Sequence, residues 1–73
     1  MIENENKVIG DNIAFRLECL HMTQKELGKR TGIPYPSISN YVRGLVCPSA
    51  LVLLRMAQAL ECTVGQLLEG VRA

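Results

Sequence analysis

Four residues of the chain carry side chains suited to metal or thiol chemistry: Cys19, His21, Cys47 and Cys62. Their spacing builds neither kind of site. No C-x-x-C occurs, so a zinc ribbon or a redox dithiol has no framework. Cys19 and His21 stand two apart, and on a helix such positions do not face one another. An odd number of widely spaced cysteines reads as free thiols in a reducing cytosol. Catalysis is no better served. Acid–base and nucleophilic sites need several groups converging in a cleft. One His, scattered carboxylates and no nucleophile motif do not supply them, and no Gly-rich loop is present to cradle a phosphate. The expectation is a protein that is not an enzyme, with no metal and no cofactor.

What could such a chain position instead? Its 73 residues allow one domain. A chain this short buries only about 60% of the surface it exposes when unfolded, so its core is thin. Apolar residues make up 48% and the net charge is +1, which argues against disorder. Leu dominates, and Phe15, Tyr35 and Tyr41 are the whole aromatic complement. A small β-barrel would want more aromatic and β-branched residues, so an all-α fold is expected. The start is acidic and polar, unlike a signal peptide. The longest apolar run, Ala50 to Leu54, is far short of the ~20 residues that span a membrane. A cytoplasmic protein with no membrane contact is expected.

The elements follow from periodicity and caps. Residues 1–7 read as a flexible leader, 8–70 as the domain and 71–73 as a tail. Ile9, Ile13, Leu17 and Leu20 mark one face of a first helix, with Gly10 near its start where its cost is low. Thr23 and Glu26 form a capping box that opens a second helix, and Gly32 closes it. Proline is tolerated in a first helical turn, so Pro34 and Pro36 place the start of a third helix at Tyr35 or Pro36. That helix ends at Arg43, with Ile38, Tyr41 and Val42 as its apolar face. Ser49 caps a fourth helix carrying Leu53, Met56, Ala57 and Leu60 on one side, and Thr63 with Gln66 opens a short fifth.

The second and third helices are joined by Thr31-Gly32-Ile33-Pro34, a tight turn containing Gly, which describes a helix-turn-helix. Gly28 inside the second helix costs about 1 kcal/mol relative to Ala, which is explained if the third helix crosses closely there. Five segments then agree in order and spacing over about residues 8–70: Ile9-Gly10 with Ile13, MTQKELGKRTGI, SISNYVRG, PSALVLLRMAQAL and TVGQLLEG. In these the chain resembles the Cro/repressor-type (XRE-like) helix-turn-helix family. The resemblance implies a compact five-helix bundle of the lambda-repressor-like DNA-binding type, with the third helix in the major groove and the second across the backbone. It places Tyr35, Pro36, Ser37, Ser39 and Asn40 toward base edges, and Thr23, Gln24, Lys25 and Arg43 toward phosphates. An Asn amide can pair with adenine in bidentate fashion, although an exposed helical Asn is often only solvated. Charge agrees modestly. Residues 16–43 hold five cations against two anions, a local +3 within a chain of net +1.

The chain departs from the family in four places. Proline occupies the start of the third helix, removing donors and shifting recognition toward shape. The loop after Gly44 is uncharged, and Leu45, Val46, Leu51 and Val52 form a candidate apolar patch for a dimer or a protein partner. Leu17 and Val42 stand where relatives often pair Arg with Glu, which leaves Arg16 with its stem on the core and its head in water. His21 replaces a frequent Gly. The function expected is a sequence-specific transcriptional regulator, a repressor binding double-stranded DNA at an inverted repeat as a homodimer. The alternative is an antitoxin-like or adaptor module that uses the apolar patch to hold another protein.

Overall fold

The computed structural model describes residues 4–72, and those residues form five helices and no strand. Residues 1–3 of the expected leader and Ala73 of the expected tail lie outside them. Helix α1 (Glu5–Cys19) begins earlier than its apolar period suggests. The Asn4 side chain accepts hydrogen bonds from the N–H groups of Asn6 and Lys7, at 3.0 and 3.3 Å, and Glu5 lies in the positive first turn. Residues 5–7 are therefore helix and not leader. Their polarity is that of a capped helix start.

The other helices start and stop on local signals. Helix α2 (Gln24–Thr31) has the full Thr23–Glu26 capping box and ends on left-handed Gly32. Helix α3 (Tyr35–Val42) begins between its two prolines. Ser49 caps α4 (Ala50–Ala59), and a second capping box, Thr63 with Gln66, opens α5 (Val64–Leu67). All five helices feed one core, whose fully buried members include Ile13, Leu27, Ile38, Met56 and Leu67. Val71, expected in a tail, packs against that core instead.

Helix α1 lies on α3 and α5, and α2 lies on α3 and α4. The α1–α3 crossing is made backbone to backbone at Gly10. A Cβ there would stand 2.5 Å from the Tyr41 carbonyl oxygen and closer still to that of Val42. Gly10 is thus required by contact, not merely tolerated near a helix start. Gly44 repeats the device one turn on: its Cβ would meet Lys7 Cα at 2.8 Å. Gly28 is crowded as well, but chiefly by the Ile33 carbonyl of the turn, at 2.9 Å, rather than by the α3 backbone.

Side chains of α1 hold the rear of the molecule. Asn12 Nδ2 donates to the carbonyls of Leu67 and Glu69, at 2.9 and 2.8 Å. Arg16 Nη2 donates to those of Leu60 and Glu61, at 3.4 and 3.1 Å. The Arg16 head, expected only to reach water, is also tied down by these two carbonyls. It closes the C-terminal end of α4, where open carbonyls favour a cation, and its Nε is buried without a partner.

Candidate nucleic-acid interface

The turn between α2 and α3 sets the site. Thr31 Oγ1 donates to the Leu27 carbonyl at 2.7 Å and accepts from the Ile33 N–H at 3.3 Å. Gly32 reverses the chain with φ at +75°. Ile33 is buried beneath the turn and Ile38 is fully buried beneath α3, so the opposite side of α3 faces outward.

That outward side carries the residues expected to read bases. Tyr35 and Pro36 are exposed, and Ser37, Ser39 and Asn40 are half-buried. Among the described residues, no internal hydrogen bond engages the side chains of Ser37, Ser39 or Asn40. Tyr41 and Val42 turn inward onto the core. Helix α3 has no side-chain cap. The N–H groups of Ser37 and Ile38 already bond the Pro34 carbonyl, at 3.0 and 3.2 Å.

The residues expected to meet phosphates divide. The Thr23 hydroxyl is committed to its capping box, accepting from the Glu26 N–H at 3.1 Å with Glu26 Oε1 3.4 Å away. Gln24 is half-buried at the head of α2, where its own N–H and that of Lys25 remain open. Helix starts of this kind accept anions, although the Glu26 carboxylate offsets part of the positive end. Lys25 lies over the Tyr35 ring, 5.6 Å from its centroid. Arg43 is exposed at the end of α3. Among the described residues the one salt bridge joins Lys7 to Asp11, so Lys25, Lys29, Arg30 and Arg43 are exposed cations without an ion-pair partner.

Of the apolar patch, Leu45, Val46 and Leu51 are exposed, at 59, 47 and 58%. Val52 is not part of it, because it turns inward and packs on the core. Leu54, on the same helix, is 45% exposed. The sequence carried that signal, since Leu54 follows Leu51 by three residues and so shares its helix face. Phe15, 61% exposed, is a second apolar surface residue that periodicity did not single out. Among the described residues no group of three His, Cys, Asp or Glu gathers as a metal site, and no helix is long and apolar enough to cross a membrane.

This geometry can be set beside known proteins. A family model described as helix-turn-helix matches residues 13–67, from the middle of α1 through α5. The chain belongs to the Cro/repressor-type (XRE-like) helix-turn-helix DNA-binding family. It is 32% identical over 69 residues to the HTH-type transcriptional regulator DicA of Escherichia coli (strain K12). That alignment takes in 94% of this chain but only 51% of DicA, so the chain spans about half the length of this relative. No solved structure matches. The φ of His21 is +53°, in the left-handed region that Gly enters without strain.

Proposed function

We propose that the chain is a cytoplasmic, sequence-specific DNA-binding transcriptional regulator that lays α3 in the major groove. The observation that carries this reading is the outer side of α3. The side chains of Ser37, Ser39 and Asn40 have no internal hydrogen-bond partner there, on the element that a helix-turn-helix presents to DNA. Asn40 is the principal base reader through its amide. Gln24, the open N–H groups of α2, and Arg43 with Lys25 meet phosphates. The concentration of cations in residues 16–43 supplies modest non-specific attraction.

The protein acts as a repressor, binding an inverted repeat as a homodimer. One α3 reads few bases, and two half-sites one helical turn apart multiply specificity. Leu45, Val46, Leu51 and Leu54 form the dimer face. The stretch from Gly44 to Leu54 contains no charged residue, so two copies can bring it together without like-charge repulsion.

Selection from random duplexes at low salt tests this reading. The expected result is an inverted repeat with half-site centres about 34–36 Å apart. Asn40→Ala then relaxes one base position by about 1–3 kcal/mol, while Gln24→Ala weakens binding to all sequences alike. The exposed patch also supports the antitoxin-like or adaptor role. Selection that enriches no sequence, joined to a stable complex with a second protein that Leu51→Asn abolishes, would establish that role instead.

A further inference from the structure

Lys25 and Tyr35 belong to different helices, and the periodicity of neither pairs them. The turn brings them together, with the Lys25 ammonium over the face of the Tyr35 ring, 5.6 Å from the centroid. Both residues are exposed, so core packing does not demand the contact.

The ring stands on constrained backbone. Pro34 precedes it with φ at −57°, and Pro36 follows it. A proline locks its own φ and restricts the residue before it. Rotation of the side chain is the main freedom left to Tyr35, and a cation over one face of the ring opposes that rotation. The backbone at this end of α3 is also poor in donors. Pro34 and Pro36 have no N–H, and the N–H groups of Ser37 and Ile38 are taken by the Pro34 carbonyl. What it presents is an aromatic ring between two exposed prolines. In a major groove the base feature that matches an apolar surface is the thymine methyl group.

We infer that Lys25 is a positioning residue that holds the Tyr35 ring against a thymine methyl, with its charge directed at the ring and not at a phosphate. This rests on the DNA-binding reading above and revises it for Lys25. A phosphate contact raises affinity for every sequence, whereas a positioning contact sharpens one base position.

The test compares the wild-type chain with Lys25→Met, Tyr35→Leu and the double variant, on the selected duplex and on duplexes in which single thymines are replaced by uracil, which lacks only the methyl. Uracil at one position is expected to weaken wild-type binding roughly two- to fivefold, and Lys25→Met to abolish that penalty, on the scale of an exposed cation–π contact. The double variant should match Tyr35→Leu. In the free protein, ring-current shifts of the Lys25 ε-methylene protons should be present in wild type and absent in Tyr35→Leu. Lys25→Met that weakens every duplex equally, lowers the salt slope by about 0.9 and keeps the uracil penalty would overturn the inference while leaving the DNA reading intact. Unshifted ε-methylene protons in the wild-type chain would overturn it without reference to DNA. A wild-type chain that enriches no sequence would overturn both.

Discussion

Helix α1 meets the two halves of the molecule by opposite means. Toward α3 it removes side chains: Gly10 lets the Val42 and Tyr41 carbonyls rest on its backbone, and Gly44 returns the contact against Lys7. Toward α4 and α5 it extends them: Arg16 and Asn12, four residues apart, reach the carbonyls that close those two helices. The first contact is steric and tolerates almost no displacement, because interiors are close-packed and repulsion rises steeply. The second runs through flexible side chains that adapt to small shifts. The helix carrying Tyr35 to Asn40 is the one held rigidly, which suits a surface that must keep its register against another rigid body.

The largest effect comes from adding one carbon to the rigid side. Gly10→Ala should destabilise the fold by about 2–3 kcal/mol, a typical overpacking cost, even though Ala is the better helix former by about 1 kcal/mol. In a domain of this size that lowers the melting temperature on the order of 15 °C. Thermal denaturation followed by circular dichroism measures it. A stable Gly10→Ala protein would show that α3 can move away from α1, and the rigid side would be rigid no longer.

The flexible side should yield less. Arg16→Ala removes a charged donor from two carbonyls and is expected to cost about 2 kcal/mol. Arg16→Leu should cost less than Arg16→Ala, since it keeps the packing of the stem and also removes the buried, unpartnered Nε. Asn12→Ala loses two neutral hydrogen bonds that water can partly replace, for about 1–2 kcal/mol. Urea unfolding gives all three values. Amide exchange should show the loss at α5 for Asn12→Ala, with α3 unchanged. Loosening that spread to α3 would mean the two sides are one unit.

What could be read from the sequence, and what could not, follows the same division. Every helix start after α1 was legible, because Thr23 with Glu26, Ser49, and Thr63 with Gln66 are complete local signals and Pro34 with Pro36 brackets the start of α3. The buried faces of α1 and α4 were legible as periodic apolar positions. The purpose of Gly10, the inward turn of Val52 and the destination of the Arg16 head were not. Each depends on which distant segment approaches, and spacing along one helix carries no such information. The outward placement of Tyr35, Pro36 and Asn40 could be anticipated once Ile38 was assigned to the core. The Lys25–Tyr35 contact could not, since it crosses a turn between two helices.

The smallest effect compares two turns built alike, one in each half. Helix α1 ends with His21 at φ +53°, and α4 ends with Glu61 at φ +56°. In both, the next N–H reaches back five residues at 2.9 Å, Met22 to Leu17 and Cys62 to Ala57. Both positions are those that Gly usually fills. Either residue replaced by Gly relieves about 1 kcal/mol of left-handed strain, and the greater freedom of Gly in the unfolded chain takes back part of that. The two should not gain equally. Glu61 places an anion beside the negative end of α4, whereas His21 brings no negative charge to the end of α1, and a charge at a helix end is worth about 0.3–1 kcal/mol. The Arg16 bond is no obstacle, because it is made to the Glu61 carbonyl, which Gly retains. Glu61→Gly should therefore stabilise by about 1 kcal/mol and His21→Gly by roughly half as much. Equal gains would mean that the Arg16 guanidinium already neutralises the Glu61 charge, and the rear contact would then be electrostatic as well as a pair of hydrogen bonds.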